Sequence, residues 1–301
     1  MANKLGKILF KTAGLLSLVG YHVYQTKVLR NRITPLFYPD LPEELEGYRI
    51  VHISDLHGAL FGKDNEKLAR QIMALDPDVL CMTGDMVHSF SDDGEAFLKL
   101  VSGLDKGLIK LFVSGNHENL QRTLSGYQSL NRSVLYKKLE NYNVRLLDGA
   151  SYQPEGLPLI FKGIADDHDH YQGIHFKEEL FDLEALLPEP RKDFLNVALI
   201  HRPNYFRSVA KYGYDLMLSG HTHGGIIRIW GKGGLLSPER KFFPELDKGL
   251  FYIKNSYLNV SSGLGQIKAI PRVDNQPEVS LLILHKGPRD VRHMKAVKDL
   301  Q

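Results

Sequence analysis

The chain has 301 residues, of which 43% are hydrophobic and 24% are charged, so its composition is that of a globular protein and excludes a disordered or collagen-like chain. Its formal net charge is +3, and because residues 1–32 carry six Lys and Arg and no acid, the remainder carries −3. A slightly acidic body lacks the basic stripe that long nucleic acid needs, so we expect no stable nucleic-acid partner. The single cysteine, Cys81, excludes an intrachain disulfide, and its apolar neighbours predict a buried strand residue.

Residues 1–32 form a basic, apolar N-terminal segment in which the run from Thr12 to Thr26 is uncharged. A membrane-spanning helix needs about 20 apolar residues, and this run is shorter and diluted by glycine and serine. We expect a weak signal anchor or an interfacial helix at a membrane; a cleaved signal peptide and a helix packed on the domain are the alternatives. Three prolines in residues 33–47 predict an extended linker.

The first half of the body alternates strand-like and helical stretches. Strands are predicted at Tyr48–Ser54, Val79–Thr83 and Ile109–Ser114, with helices at Asn65–Ala74 and Asp93–Gly103 between them. This alternation is typical of right-handed parallel crossovers, whose functional residues gather at the carboxyl ends of the strands.

The second half continues with shorter elements. A helix is predicted at Leu130–Asn141, and strands are predicted at Val144–Leu147, Leu159–Gly163, Asn196–Ile200, Asp215–Ser219, Gly249–Ile253, Leu258–Ser261 and Glu278–Leu284. We expect the last three strands to close a second sheet. The sequence therefore predicts a catalytic domain over 48–286, followed by a C-terminal tail over 287–301.

Five short polar motifs stand at or just past the ends of predicted strands. They are Asp55-Leu56-His57, Gly84-Asp85, Gly115-Asn116-His117-Glu118, His201 and Gly220-His221-Thr222-His223. Unpaired charges beside an apolar sheet are costly without a counter-ion, so packing alone does not explain the set. Together the motifs predict a site for two divalent metal ions, an arrangement suited to cleaving phosphate esters with water.

The donor atoms have distinct expected roles. Asp55 and His57 are two residues apart, so both would project from one face if the strand continued through them. Asp85 offers two carboxylate oxygens, which suit a bridge between cations about 3.5–4 Å apart. The remaining donors are the amide of Asn116 and the imidazoles of His201, His221 and His223. Such N and O donors suit Mn, Zn or Fe.

This ordered set, within residues 50–225, resembles the calcineurin-like metallophosphoesterase superfamily. The resemblance implies an α/β fold, a four-layer αββα sandwich of two mixed β-sheets flanked by helices. It implies that Asp85 bridges two ions and that His117 lies near the substrate phosphate as general acid or oxyanion stabiliser. One ion would be held by Asp55, His57 and His223, and the other by Asn116, His201 and His221; the implied catalytic residues are His117, Asp85 and Asn116.

The whole layout also resembles a membrane-associated bacterial phosphodiesterase branch of that superfamily, which carries a late motif found here as Ser262-Gly263-Leu264-Gly265. This resemblance implies a phosphate-ester substrate, hydrolysis of a phosphodiester or pyrophosphate by hydroxide that two metals activate, and a membrane surface as partner. A UDP-diacylglucosamine pyrophosphatase-like lipid enzyme is the alternative. A phosphomonoesterase is less favoured, and so is a non-catalytic scaffold, which would usually have lost ligands that are all present here. The resemblance to this branch also implies a bacterial cell membrane or envelope as the location.

Departures from related groups narrow the activity. The motif Gly84-Asp85 does not continue into Asp-Arg-Gly, which argues against protein dephosphorylation. The position at which purple acid phosphatases place an iron-binding Tyr is His88, so no tyrosinate–iron site is expected; we interpret His88 as a loop residue.

Three features remain open in the sequence. Arg202 is either a phosphate clamp or a structural residue. The cluster Asp166–His170 is a loop at the rim of the site, a solvated loop or a further metal site. The basic and aromatic stretch Arg228–Phe243 is either a plain hairpin or a contact for a lipid-linked or nucleotide substrate.

Overall fold

The computed structural model describes residues 2–88, 92–119, 132–166, 171–172, 175–176, 186–266 and 270–298. Its helices are α1 (Ala2–Lys27), α2 (Glu66–Met73), α3 (Glu95–Ser102), α4 (Asn116–Asn119), α5 (Arg132–Glu140) and α6 (Phe206–Tyr212). Single 3-10 turns lie at Glu43–Leu45, Lys63–Asn65, Pro203–Tyr205 and His223–Gly225. The predicted helices within the body are thus present; α2 and α3 are shorter than predicted by one or two residues at each end, and the predicted start of α5 at Leu130 lies outside the described residues.

The strands fall into two large mixed sheets and two small hairpins. They are β1 (Arg30–Tyr38), β2 (Arg49–Ile53), β3 (Val79–Thr83), β4 (Ile109–Val113), β5 (Val144–Leu146), β6 (Ser151–Tyr152), β7 (Leu159–Ile164), β8 (Tyr171–Gln172), β9 (His175–Phe176), β10 (Leu195–Ile200), β11 (Leu216–Ser219), β12 (Arg228–Ile229), β13 (Gly233–Gly234), β14 (Gly249–Ile253), β15 (Ser256–Val260), β16 (Glu278–Lys286) and β17 (Lys295–Ala296).

The first sheet has the strand order β1-β16-β2-β3-β4-β5, and the second has the order β17-β14-β15-β11-β10-β7-β6. In the first, β2 to β5 are parallel, as the crossover pattern predicts, and β16 is antiparallel to β2. In the second, β7, β10, β11 and β15 are parallel. The carboxyl ends of the central strands of both sheets carry the five polar motifs.

Alternating side chains along a strand divide the core into layers. Along β3, Val79 and Cys81 pack between the two sheets, whereas Leu80 and Met82 pack on the other face, with side chains of α2 and α3. Strand β10 divides its side chains in the same way between the second sheet's inner face and α6. The layers are therefore helix, sheet, sheet and helix, which confirms the predicted four-layer sandwich. Cys81 is buried, as expected.

Two expectations about chain organisation are wrong. Residues 33–38 are not part of a linker, because they lie in β1, which pairs in parallel with β16 from Arg30 to Tyr38. Pro35 is accommodated there because β1 is an edge strand, where one missing N–H is tolerated. Strand β16, expected in the second sheet, instead lies between β1 and β2 in the first. Local sequence patterns predict a strand without naming its neighbour.

The N-terminal helix α1 is exposed from Phe10 to Tyr24 and becomes buried only at Gln25. Within the part of the chain that the structure describes, no helix has the length and hydropathy needed to span a bilayer. At its end, Gln25 Oε1 accepts the backbone N–H of Asn275 at 2.9 Å, and Tyr21 lies beside Asp274. The helix is thus joined to the catalytic body at its C-terminal end.

A buried ionic network holds the edge strand β1 in place. Glu278, which is 1% exposed, lies 2.8 Å from Arg32 Nε and 3.0 Å from Lys248 Nζ. Arg32 also donates to Asn259 Oδ1 of the second sheet at 2.7 Å. Although burial alone would raise the pKa of Glu278, these two cations lower it from 4.5 to about 2. The network therefore joins the N-terminal segment to both sheets.

Replacing Glu278 with Gln removes the buried anion of this network and leaves two partly buried cations without it, so we expect the free energy of unfolding to fall by about 3–5 kcal/mol. Because the folded pKa of Glu278 lies below its ordinary value, its ionised form stabilises the fold above pH 4.5, and this contribution is lost as the pH falls from 4.5 toward 2. Chemical denaturation at neutral and acidic pH measures both effects. Glu43→Gln, at a side chain that is 90% exposed, is the control and should change stability by less than about 0.5 kcal/mol; an equal loss in both variants would contradict the prediction.

Candidate metal centre

The predicted site residues converge where the carboxyl ends of five strands meet. They follow β2, β3 and β4 of the first sheet and β10 and β11 of the second. Backbone hydrogen bonds join the loops within each sheet: Asp55 N donates to Gly84 O at 3.0 Å, and Gly220 N donates to His201 O at 2.9 Å. Across the two sheets, the backbone N–H of His221 donates to both oxygens of Asp55 at 3.1 Å. The site is thus built on rigid strand ends.

Left-handed backbone conformations aim many of the donors inward. Asp55, His57, Asp85, His221 and His223 all have positive φ, between 47° and 66°. Strand β2 ends at Ile53, so the expectation that a continuing strand presents Asp55 and His57 is wrong. Non-glycine residues in this region are uncommon and strained, and such residues concentrate at functional sites.

Two glycines permit the close approach of the two sheets. A Cβ on Gly220 would overlap the side chains of Ser54 and Asp55. A Cβ on Gly84, which has a φ of +84°, would lie 2.6 Å from Gly115 Cα and 2.7 Å from His201 Nδ1. These positions leave no room for a side chain, which explains the glycine that precedes each of these two motifs.

One group of donors consists of Asp55, His57 and His223. His223 Nε2 lies 3.4 Å from Asp55 Oδ1 and 3.1 Å from His57 Nε2. Burial lowers the pKa of His57 to about 3 and that of His223 well below its ordinary value, so both rings are neutral near pH 7. Two neutral imidazoles and a carboxylate oxygen thus face one point.

The second group consists of Asp85, His201 and His221. His201 Nε2 lies 3.2 Å from Asp85 Oδ2 and 3.2 Å from His221 Nδ1. Asp85 Oδ2 is also 3.7 Å from His57 Nε2, so this carboxylate lies between the two groups. The position of Asp85 is the one that the sequence predicts for a bridging ligand.

The residues fit a pair of divalent cations. The side-chain oxygen of Asn116 is buried and has no hydrogen-bond partner among the described residues, a state that is costly unless something else contacts it. Imidazole nitrogens, carboxylates and an amide oxygen are the donor set that Zn, Mn and Fe accept. Ligation by the seven predicted residues stays a prediction, and the structure brings six of them into the two groups and buries Asn116 Oδ1 as a free acceptor.

The carboxylates strongly favour positive charge at the site. Burial, with a smaller contribution from Asp85, raises the pKa of Asp55 to about 6 although His201 lowers it. Burial opposes a charge on His201, yet Asp85 raises the pKa of this imidazole to about 10. The same interaction, with help from His117, lowers the pKa of Asp85 well below its ordinary value against the effect of burial. The protein alone therefore compensates its buried anions by retaining a proton on His201.

Two histidines are oriented by hydrogen bonds from behind. His201 Nδ1 donates to Thr83 O at 2.6 Å, which directs Nε2 toward Asp85. His221 Nε2 lies 2.5 Å from Glu239 Oε1, which directs Nδ1 toward His201. Burial would raise the pKa of Glu239, but His221 lowers it well below its ordinary value. Glu239 was not foreseen, because it lies sixteen or more residues beyond the last motif and in no recognisable pattern.

Arg202 is enclosed behind the same histidine. Its Nε donates to Asp166 Oδ2 at 2.7 Å, and its Nη1 lies 3.4 Å from Glu239 Oε1. The side chain is 7% exposed in total, which favours the structural interpretation over a phosphate clamp. Asp166 therefore forms an ion pair with Arg202. The other residues of the cluster Asp166–His170 lie outside the described residues.

Glu118 organises the strand ends that carry Asp85 and Asn116. Its two oxygens accept the backbone N–H groups of four residues at 2.7–3.1 Å, namely Asp85, Met86, Val87 and Gly115. Burial, and secondarily Asp85, raises the pKa of Glu118 to about 7. The motif Gly115–Glu118 contains this residue, and only the fold reveals what its carboxylate does.

His117 occupies the accessible edge of the centre. Its backbone N–H donates to Asp85 Oδ1 at 2.8 Å, its Nε2 lies 4.0 Å from Asp85 Oδ2, and 21% of its side chain is exposed. The ring stacks on His88 with 5.3 Å between centroids. A cavity of about 310 Å³ adjoins this edge and is lined by His57, His88 and Leu60 among others. His88, which is interpreted above as a loop residue, therefore faces the space beside the predicted ligands.

Comparisons with known proteins agree with this geometry. The sequence model for the calcineurin-like phosphoesterase family matches residues 48–225. The chain therefore belongs to the calcineurin-like phosphoesterase family and is a metallophosphoesterase, as its motifs predict. The family uses divalent metal ions.

Three relatives indicate the range of similar chains. An uncharacterized metallophosphoesterase of Aquifex aeolicus is 29% identical over 268 residues, 88% of this chain and 95% of that protein. The UDP-2,3-diacylglucosamine pyrophosphatase LpxG of Chlamydia trachomatis is 27% identical over 300 residues, 83% of this chain and 88% of that protein. A bovine transmembrane protein with metallophosphoesterase domain is 28% identical over 254 residues, 82% of this chain, and the match spans about half, 55%, of the bovine protein.

Among solved structures, the purple acid phosphatase PPD1 of yellow lupin aligns with 82% of this chain and 55% of its own. Its sequence identity is 14% and its TM-score is 0.42.

The two carboxylate oxygens of Glu118 accept four buried backbone N–H groups, whereas Gln has only one oxygen that can accept them. For Glu118→Gln we therefore expect the metal content of the protein to fall and its free energy of unfolding to decrease by about 1–3 kcal/mol. Elemental analysis of the purified protein and chemical denaturation measure the two effects. Glu140→Gln, at an exposed side chain of α5, is the control. Full metal content in Glu118→Gln would show that the four hydrogen bonds do not position the ligands.

Replacing Glu239 with Gln removes the anionic partner of His221, and changes at such partners typically lower metal affinity about 10–100-fold. Competition with a chelator measures the affinity, and metal content at saturation shows whether the site still fills. Glu245→Gln, at a half-exposed carboxylate paired with Arg207, should keep the affinity of the unmodified chain. Equal metal affinities in the two variants would show that Glu239 does not contribute to metal binding through His221.

Proposed function

We propose that the chain hydrolyses a phosphodiester or pyrophosphate bond with two divalent metal ions, Mn, Zn or Fe. One observation carries this proposal: two groups of buried donors meet at Asp85, which belongs to one group and lies 3.7 Å from His57 of the other, and a partly exposed imidazole, His117, lies beside them. When bound, two such cations lower the pKa of a shared water and neutralise charge on phosphoryl oxygens.

His117 is the residue of this chain that is held in position to donate a proton. The hydrogen bond from its backbone to Asp85 fixes His117 at the edge of the donor groups, where its ring can reach a phosphoryl oxygen or the leaving oxygen. In its protonated form it stabilises developing negative charge and donates to the leaving group. Asp85 and Asn116 act as catalytic residues only through the cations that they would hold.

The substrate class and the membrane are supported by the surroundings of the site. Similarity to a UDP-2,3-diacylglucosamine pyrophosphatase favours a pyrophosphate or diester, and one relative is named a transmembrane protein. The basic helix α1, with exposed side chains from Phe10 to Tyr24, favours a membrane surface as partner and a membrane-associated location. Residues 48–286 form the catalytic domain in this proposal, with β1 added to its first sheet and 287–301 as the tail.

The test uses the full chain, because a chain that begins at residue 33 lacks Arg32 and Gln25, which hold the body together. Protein stripped of metal and reloaded with Mn, Zn, Fe or Mg is assayed on bis-p-nitrophenyl phosphate and p-nitrophenyl phosphate. We expect diester cleavage, which falls to background in Asp85→Ala and about 10²–10⁴-fold in His117→Ala with metal retained. The control is His293→Ala, an exposed imidazole.

The two assays separate the candidate activities. Cleavage of the monoester alone would replace the diesterase proposal with a phosphomonoesterase. Diester cleavage that persists in Asp85→Ala would show that the described centre does not catalyse it. Absence of hydrolysis with both compounds and with a lipid pyrophosphate, in protein of full metal content, would favour a non-catalytic scaffold.

A further inference from the structure

The segment 228–243, here called the aromatic loop, exposes large apolar side chains to an unusual degree. Trp230 is 97% exposed, Phe242 is 70% exposed and Phe243 is 48% exposed. The short hairpin of β12 and β13 holds Trp230 at its turn. Tryptophan is normally well buried, and contiguous exposed apolar side chains mark interaction sites.

The helix α1 is apolar and exposed in the same way. Phe10, Leu15, Leu16 and Leu18 are between 63% and 82% exposed, and every residue from Phe10 to Tyr24 is exposed. An apolar helix that is open on all sides needs a partner to cover it. Within the described residues, the body contacts this helix only near its C-terminal end.

The two elements lie on one side of the molecule. Gln25 of α1 accepts from the backbone of Asn275, whose side chain donates to the carbonyls of His223 and Ile226. Ile227, which pairs with Val273, leads directly into the aromatic loop. One continuous set of hydrogen bonds therefore runs from the end of α1 through the metal-ligand turn to the hairpin.

A third apolar element joins them at the cavity. Lys27 Nζ, at the end of α1, donates to Leu60 O at 3.3 Å, and Leu60 is 42% exposed. Leu60 also lines the 310 Å³ cavity beside His57. Leu60 thus connects the C-terminal end of α1 to the cavity beside His57.

The aromatic loop and the N-terminal segment each carry a net positive charge. The aromatic loop carries Lys232, Arg240 and Lys241, and its only acid, Glu239, is turned inward to His221 and is 10% exposed. Residues 1–32 add six cations and no acid. Exposed Trp, Phe and Leu flanked by Lys and Arg are the composition of surfaces that lie in the headgroup region of anionic bilayers.

We propose that the aromatic loop and α1 together form a docking surface for an anionic lipid bilayer. The loop's tip, Trp230 with Phe242, enters the headgroup region, while its base packs on the ligand turn at Gly225 and holds Glu239 on His221. Docking therefore brings the cavity and the metal centre to the headgroups. The consequence for substrate choice, a lipid-linked phosphate ester, rests on the proposed hydrolase function; the docking itself does not.

The single tryptophan of the chain makes the test direct, because all tryptophan fluorescence comes from Trp230. Full-length protein is titrated with vesicles of phosphatidylcholine alone and with vesicles that also contain phosphatidylglycerol. We expect a blue shift and quenching by bromine-labelled acyl chains with the anionic vesicles, both reduced by high salt. If the protein co-sediments with the vesicles but its emission does not shift, the aromatic loop does not take part in docking. Absence of co-sedimentation would overturn the whole proposal.

Variants locate the surface. Trp230→Ser with Phe242→Ser should weaken co-sedimentation with anionic vesicles by about tenfold or more, because two large apolar side chains leave the interface. Val134→Ser and Leu146→Ser are matched controls, exposed apolar residues of α5 and of β5, the edge of the first sheet opposite β1. The double variant Arg240→Glu with Lys241→Glu reverses two charges and keeps the apolar side chains. It tests the same surface if the apolar variants do not fold, and it should also weaken binding to anionic vesicles. Equal binding by all variants would contradict the proposal.

Two further measurements separate this proposal from its rivals. Sedimentation velocity without lipid tests whether a second copy of the chain covers the surface, and a dimer abolished by Trp230→Ser would overturn the bilayer as occupant. Hydrolysis of the soluble diester, the monoester and a lipid pyrophosphate is measured in the same preparations. Vesicle binding without hydrolysis of any of them would reject the proposed hydrolase activity and leave the docking surface standing. Hydrolysis without vesicle binding would reject the docking surface and the membrane partner and leave the hydrolase activity standing.

Discussion

The structure depends on two buried carboxylates, Asp55 and Asp85, which lie at the junction of the two sheets. Burial raises the cost of ionising both carboxylates, and Asp85 adds to that cost at Asp55, so the junction requires positive charge. His201 supplies it within the protein, and divalent cations would supply it more fully. Much of the surroundings follows from this requirement: glycines that let strand ends meet, left-handed residues that aim donors inward, and Glu118, which fixes the loop of Asp85 through four amides.

The same junction explains why the N-terminal segment belongs to the catalytic body. Arg32 of β1 reaches Asn259 in the second sheet, Asn259 donates to His52, and His52 hydrogen-bonds Thr83. Thr83 O is the acceptor that orients His201. A polar path through the layer between the sheets thus joins the edge strand to a predicted ligand. Buried polar networks of this kind specify one arrangement of their members, because a half-satisfied network is costly.

The sequence predicted the site better than it predicted the chain's organisation, for a physical reason. Strand periodicity and strand-end motifs are local signals, so Asp85 and His201 could be placed at the edge of a sheet before the fold was known. The neighbour of β16, the role of Glu239 and the inclusion of residues 33–38 in a strand depend on contacts between distant parts of the chain. The left-handed turn at Asp55 also escaped prediction, since an Asp-x-His pattern fits both a continuing strand and a turn.

The aromatic loop combines an exposed basic and aromatic surface with an acid that faces the interior. Its outward residues expose cations and Trp230, whereas its one acid turns inward and orients His221. A segment that touched only a bilayer would not need Glu239, and one that only supported a ligand would bury its aromatic side chains. Both sets of residues lie within 228–243, so the proposed contact with a bilayer and the orientation of His221 depend on the same short segment.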